Sequence, residues 1–394
     1  MPKTVKHALL NVIVMIAAFA AIEFLASLAF RAGIATHTRK PEVMYPYHPY
    51  LGWDNAPNFS FKGDLARGLH HWAVETDSQG HSITPHLNHS DPDVDIAIVG
   101  GSAAFGVGAS GNATTVPSLV ERELFRRTRV RVEVHNLAVG GYTSFQEMLC
   151  LERYMATRRV DLAVALSGYN DAYAAAFASG PEFGLLLERV NPKADLIRSI
   201  ERGDLAAVPV AMNLVLSRLR RTSYAIDLLG KVSDRLRGPV RRDLPGGKTA
   251  PPDEEIARRA RWVMTNYAMM DALAKQNGAQ FFMFLQPTSV TKKSLTPEES
   301  RSLDSLDKPV IDRLFPVERV FYASVRACDK RFAFFDLSQC LDDTSGPAFA
   351  DDVHYLDGAA GVVANAICDV ITPAVVDVAR RRGAMLEHAL APGR

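Results

Sequence analysis

The chain has 394 residues, 47% of them hydrophobic and 23% charged, which supplies a large buried core and excludes an intrinsically disordered chain. Lysines and arginines number 45 against 44 aspartates and glutamates, a formal net charge of +1, so no global charge argues for nucleic acid or a strongly anionic partner. Any partner has to be read from a site.

Residues 8–30, ALLNVIVMIAAFAAIEFLASLAF, form an apolar run long enough to cross a hydrocarbon core of about 30 Å at roughly 1.5 Å per residue. Glu23 is its only ionisable residue, and Asn11 the only other strongly polar one. Lys3, Lys6 and His7 precede the run while Arg31, Arg39 and Lys40 follow it, a weak bias that favours the short N-terminus inside and the bulk outside. The run exceeds the h-region of about 7 to 15 residues expected of a cleavable signal peptide, and no small-x-small site closes it. Residues 1–31 are therefore expected to be an uncleaved membrane anchor, with a cleaved signal peptide and a buried soluble helix as the rival readings.

Residues 32–92 are rich in Pro, His, Asn, Gly and aromatics, including YPYHPYLGW at 45–53. Their lack of helical period predicts irregular structure and short strands packed on the main domain. His37, His48, His70, His71, His81, His86 and His89 fall here, but none has a ligand spacing with a mechanism, so solvated loop histidines and no metal are expected.

From residue 95 the pattern alternates. IAIVG (96–100), VRVEVHNLAV (130–139), DLAVALS (161–167), AQFFMFLQP (279–287) and FAFFDLS (332–338) read as strands, several apolar at nearly every position as strands buried on both faces must be. Amphipathic segments near 116–127, 144–157, 253–276, 309–329 and 357–381 read as helices. The alternation predicts an α/β domain over 93–381, a parallel sheet covered on both sides, followed by a tail at 382–394. The interval 172–252 breaks the rhythm with LIRSIERGDL, LVLSRLRRTSYAIDLLGKVSDRLRGPVRR and the flexible LPGGKTAPPDEE, and reads as a helical insertion or lid. Its Arg-rich faces suit anionic lipid or an acidic glycan, though helix faces solvated and laced with ion pairs are the simpler reading.

The cysteines are Cys150, Cys328, Cys340 and Cys368. In an exported protein they permit disulfides, with Cys328 to Cys340 the first candidate; four free, buried cysteines are the equal alternative. No CxxC or Cys/His spacing suggests zinc.

Reactive groups on an α/β sheet sit in the loops leaving the carboxyl ends of its strands. Those loops read GGSAAFG (100–106), NLAVGGYTS (136–144), SGYND (167–171) and DDVHYLDG (351–358). A serine hydroxyl needs a base, and the base needs a carboxylate to orient it; Ser102, His354 and Asp351 supply the three. Of the adjacent Asp351 and Asp352, the three-residue spacing favours Asp351. The backbone N–H groups of Ser102 and Gly141 and the side-chain amide of Asn170 are suitable donors for a developing oxyanion.

These four segments, in this order, resemble the four blocks of the SGNH hydrolase superfamily, which includes the GDSL lipases and esterases. That resemblance carries Ser102, Gly141, Asn170 and the pair Asp351 and His354 onto the family's functional positions, and implies a flavodoxin-like sandwich of about five parallel strands over roughly residues 95–171 and 279–380. The chain departs from the pattern at Gly101, where Asp is usual, and at Ala138, where a first Gly is common; neither change removes a catalytic atom. A dinucleotide fingerprint at Gly106, Gly108 and Gly111 begins too far past the strand end, and the α/β-hydrolase elbow fails at Ala104.

The resemblance implies serine-dependent acyl transfer without a cofactor, on O-acetyl or other small esters of an extracytoplasmic glycan or cell-envelope polymer, periplasmic or at the cell surface. A lipid esterase, an O-acyltransferase and a non-catalytic envelope or glycan-binding component on the same fold are the competing readings.

Overall fold

The computed structural model describes residues 3–33, 44–85, 91–177, 212, 215–216, 219–220, 222–237 and 249–383. In chain order the elements are α1 (Lys3–Arg31), β1 (Tyr47–His48), β2 (Gly52–Trp53), β3 (Ser60–Leu65), β4 (His70–Glu75), β5 (Val94–Gly100), α2 (Ser102–Phe105), α3 (Val116–Thr128), β6 (Val132–Asn136), α4 (Ser144–Met155), β7 (Leu162–Ser167) and α5 (Tyr169–Phe177). There follow α6 (Tyr224–Arg237), α7 (Asp253–Gln276), β8 (Gln280–Leu285), α8 (Pro297–Asp304), α9 (Lys308–Ala327), β9 (Ala333–Asp336) and α10 (Asp357–Arg381). They fall into two units, one of Met1–Val43 with Glu188–Asp243, the other of Met44–Leu187 with Leu244–Arg394.

The second unit is built on a five-stranded sheet of order β6-β5-β7-β8-β9, with every pairing parallel. In order of first appearance this is second-first-third-fourth-fifth, the doubly wound flavodoxin-like arrangement. Because side chains alternate across a strand, the sheet divides its own residues between two cores. Ile96, Ile98, Val134, Val164 and Phe284 pack toward α3 and α10, whereas Ala97, Val99, Ala163, Ala165 and Met283 pack toward α4, α7 and α9. Burial on both faces is what makes these strands read as continuous apolar runs.

Local chemistry fixes the helix ends. Thr115 caps α3 by accepting from the Ser118 N–H, and Thr296 with Glu299 forms a capping box on α8. α10 has the length and hydropathy of a membrane span, but its apolar residues, among them Ile367, Ile371 and Val375, are buried against the sheet.

Residues 44–85 form two antiparallel pairs, β1 with β2 and β3 with β4. They pack on the sheet: Phe61, Trp72 and Val74 join one core, and Leu51 and Trp53 the other. Of the interval 172–252, Ala172–Phe177 belong to α5 and all but Tyr173 are buried, while residues 178–211 and 238–248 lie outside the described residues.

Of the two equal readings, disulfides with Cys328 to Cys340 first or free cysteines, the structure has the second: all four cysteines are free. Cys328 ends α9 against one core and Cys340 lies against the other, so the sheet separates them. Burial pushes the Cys150, Cys340 and Cys368 thiols up to about 12, so these three are inert at neutral pH.

Candidate active site

Four loops converge at the carboxyl edge of the sheet. The first leaves β5 through Gly100, whose missing Cβ would meet the Leu166 carbonyl oxygen at 2.5 Å. Gly101 precedes α2 in an extended conformation, and Ser102 opens that short helix, half-buried. A Cβ on Gly101 would lie 2.2 Å from Asn170 Nδ2, so the asparagine amide fills the space a side chain at 101 would need.

The second loop leaves β6 at Asn136, which holds the loops together by donating to the Ala104 and Phe105 carbonyls, each at 3.3 Å, and accepting from the Ala138 N–H at 3.2 Å. Ala138, the second departure, is fully buried, and its carbonyl accepts from Asn55 Nδ2 at 3.0 Å. Gly141 takes a left-handed φ of 82°, and a Cβ there would also press on Trp53 at 3.3 Å. Trp53 Nε1 donates to the Gly140 carbonyl at 2.9 Å and the Tyr142 hydroxyl donates to the Trp53 carbonyl at 2.7 Å, so the N-terminal extension shapes this loop.

The third loop turns at Gly168 (φ 131°) into α5, whose second residue is Asn170. Asn170 Nδ2 donates to the Tyr142 carbonyl at 2.8 Å, tying the third loop to the second. Behind it, the buried Asp171 accepts from the Ser144 N–H at 3.1 Å and the Ser144 hydroxyl at 2.9 Å. The Ser167 hydroxyl donates to Glu147 at 2.7 Å.

The fourth loop is self-ordered. Asp351 Oδ1 accepts from the N–H groups of Val353 and His354, at 3.0 and 2.9 Å, and the Ala350 N–H donates to the His354 carbonyl at 2.8 Å. This aims the imidazole: His354 Nδ1 lies 2.6 Å from Asp351 Oδ2, and Nε2 lies 2.8 Å from Ser102 Oγ. The five residues read from the sequence, Ser102, Gly141, Asn170, Asp351 and His354, thus stand on loops at one edge, three of them in a continuous hydrogen-bonded chain.

Burial raises the Asp351 carboxyl, but the charge and hydrogen bond of His354, with two backbone N–H bonds, outweigh it and hold the carboxyl below its ordinary range. Burial likewise lowers His354, yet the charge and hydrogen bond of Asp351 and the charge of Asp352 overcome it and raise the imidazole above 6.5. Asp352 is the residue that reading by spacing missed. Burial and the Asp351 charge push it up to about 6, and it accepts a hydrogen bond from the Tyr169 hydroxyl, directly before Asn170. The Ser289 N–H donates to its carbonyl at 2.9 Å. Two acidic residues in succession were the available signal; which of them faces the histidine is set by the loop's turn.

Among the described residues, Asp95, Glu133 and His135 bring metal-ligand atoms within 4.8 Å, but at the opposite edge of the sheet from Ser102. Arg159 already places a guanidinium nitrogen 2.7 Å from Asp95. Of the extension's histidines, His48 contacts Arg153, His70 faces Glu298, His71 pairs with Asp64, and His81 lies 3.8 Å from Asp77. His37, His86 and His89 lie outside the described residues.

No family model matches the chain, and no curated protein matches it. Solved structures do. It is similar to TesA at 14% identity, over 71% of this chain and 99% of that one, with a TM-score of 0.36. It is similar to the acetyl xylan esterase AlAXEase at 10% identity, over 71% and 100%, TM-score 0.35, and to a GDSL-like lipase from Bacteroides thetaiotaomicron at 11% identity, over 72% and 89%, TM-score 0.33.

Proposed function

We propose that the chain is a serine-dependent carboxylic ester hydrolase or acyl-transfer enzyme of the SGNH kind. The observation that carries this reading is the chain Ser102 Oγ to His354 Nε2 at 2.8 Å and His354 Nδ1 to Asp351 Oδ2 at 2.6 Å. Ser102 Oγ attacks the ester carbonyl as His354 takes its proton; Asp351 stabilises the imidazolium and holds the ring in position. The N–H groups of Ser102 and Gly141 and the Asn170 amide stabilise the oxyanion. The imidazolium returns the proton to the leaving alcohol, and water or an acceptor hydroxyl, deprotonated by His354, releases the acyl group from Ser102.

The substrate class is an O-acetyl or other small ester on an extracytoplasmic glycan or envelope polymer. The support is the N-terminal apolar helix, with residues 1–31 serving as anchor and the hydrolase domain of 93–381 on the outer side. The test uses the full chain in detergent with a fluorophosphonate probe and with p-nitrophenyl acetate beside longer-chain esters. Labelling and turnover that vanish in Ser102→Ala are expected, with acetate preferred. A folded wild type that neither labels nor turns over, even with an acceptor added, overturns the reading.

A further inference from the structure

Glu23 stands inside an apolar helix, in its C-terminal half. The span candidate Asn11–Arg31 has a mean hydropathy of 2.4 and is almost wholly unburied. Large apolar side chains are exposed on both sides of Glu23, with Ile13, Met15 and Phe19 before it and Phe24, Leu25 and Leu28 after it. At roughly 1.5 Å per residue, Glu23 lies about 12 Å from Arg31 along the axis, well inside the apolar band. An ionisable group at that depth is costly unless a partner satisfies it.

The partner is the start of α6. Glu23 Oε2 accepts from the Ser223 hydroxyl at 2.7 Å and the Ala225 N–H at 3.0 Å, and Oε1 accepts from the Tyr224 N–H at 2.5 Å. The first N–H groups of a helix have no partner within it, and its N-terminal end carries partial positive charge, so a carboxylate there satisfies both sides. α6 then runs along α1 in the same direction. Its start meets Glu23, while the Lys231 ammonium sits 5.5 Å from the centre of the Phe30 ring.

Along α6, Ala225, Asp227 and Gly230 are buried, Gly230 under the Arg220 guanidinium, and Asp227 is paired with Lys231 at 2.7 Å. Leu229 is 67% exposed and Val232 47%. Just upstream, Met212, Val215 and Leu219 are exposed as well. Beyond Lys231 the sequence is basic, with Arg235, Arg237, Arg241 and Arg242. Basic side chains at the end of an apolar helix suit the headgroup layer.

We infer that α6 is a second membrane-seated helix, docked on the anchor by Glu23, with the exposed Leu229 and Val232 face covered by lipid acyl chains. The occupant is a bilayer because α6 is joined through Glu23 and Phe30 to a helix whose apolar side chains are themselves unburied, and it adds the exposed Leu229 and Val232. The N-terminal helix is then a retained part of the folded protein, wired to a segment 200 residues later in the chain. This inference does not depend on the ester chemistry.

The test reconstitutes the full chain into phosphatidylcholine and phosphatidylglycerol vesicles, with wild type beside Leu229→Trp to subtract the native Trp53, Trp72 and Trp262. Substitution at so exposed a position leaves the core untouched. The added emission is expected to be blue-shifted, quenched by lipids brominated in the acyl chain, and shielded from aqueous acrylamide. Quenching by acrylamide instead means a solvated face, and shielding from both quenchers means a face covered by protein, such as a second copy; either overturns the inference. In the same background Glu23→Leu is expected to abolish the lipid quenching and Glu23→Gln, which keeps an acceptor oxygen, to retain it. Quenching unchanged in Glu23→Leu overturns the role of Glu23.

Discussion

Two groups of buried carboxyls lie behind the carboxyl edge of the sheet, and they are held in opposite charge states. Asp351, in the fourth loop, is kept ionised. Asp171 and Glu147, under the second and third loops, are driven toward the neutral form, Asp171 to about 7 and Glu147 well above its ordinary range, in both cases by burial first. Burial is severe in all three, so it does not set the difference. Asp351 faces a histidine ring and two backbone N–H groups, whereas Asp171 faces Ser144 and Glu147 a single hydroxyl. A facing group able to carry positive charge keeps a buried carboxylate charged; hydroxyls do not.

The sharpest way to break this contrast is to neutralise each group without changing its shape. Asp351→Asn is expected to lower kcat by about 10³ to 10⁴-fold, because the amide no longer holds the imidazole in its working tautomer or stabilises its charge. Glu147→Gln replaces a neutral acid by a neutral amide of the same size and should leave ester turnover close to wild type. A large loss in Glu147→Gln with the fold intact would mean that Glu147 is ionised in the working enzyme.

Next in size is the contact between the first and third loops. Gly101→Ala puts a methyl where Asn170 Nδ2 sits, 2.2 Å away, and so displaces the amide. Loss of an oxyanion donor costs about 10² to 10³-fold in kcat, so Gly101→Ala and Asn170→Ala should each fall in that range. The double variant should be little worse than either, since both remove one interaction. Additive losses would show that Gly101 matters for another reason.

That contact also marks how far the sequence could be read. The strand series, the parallel sheet and the residues Ser102, Gly141, Asn170, Asp351 and His354 were legible because their signals are local: apolar runs of strand length, and short motifs directly after them. What was illegible depends on meetings across the fold. Gly101 looks like a departure from a pattern until Asn170, 69 positions later, is found in its space. Asp352 looks like a spare neighbour of Asp351 until Tyr169 is found donating to it. Cys328 and Cys340 look as able to pair as to stay free, yet a sheet runs between the two side chains. Glu23, a lone charge in an apolar run, gave no hint of the helix it caps.

A smaller effect tests the charge around the histidine. The acidic limb of kcat/KM reports His354 losing its proton to become a base, and since Asp351 and Asp352 raise the imidazole above 6.5, that limb should lie above 6.5. Asp352→Asn removes a negative charge that favours the imidazolium, so the limb should move to lower pH while the plateau rate changes less. Tyr169→Phe takes away a bond that helps keep Asp352 ionised and should move the limb the same way, by less. A limb that does not move in Asp352→Asn would mean the carboxyl is already neutral there.

The smallest expected effect is on stability. Asp171 is raised from an ordinary 3.8 to about 7, so between those values the folded chain binds a proton that the unfolded chain has released. The stability this group contributes is therefore full below about pH 4 and declines as pH rises to about 7, where no further change follows. Asp351 acts in the opposite sense: its depressed carboxyl contributes above its unfolded value and loses that contribution only as pH falls below about 4. His354, raised, loses its contribution only above 6.5. Between about pH 4.5 and 6 the slope of Tm is thus governed by the carboxyls held neutral, Asp171 and Glu147 among them, with Asp352 and Glu318, which burial raises to about 6 and about 8, adding to it. Asp171→Asn should flatten that slope without reversing it, since the other three groups persist. An unchanged slope would place Asp171 with the ionised carboxylates and remove the contrast between the two groups.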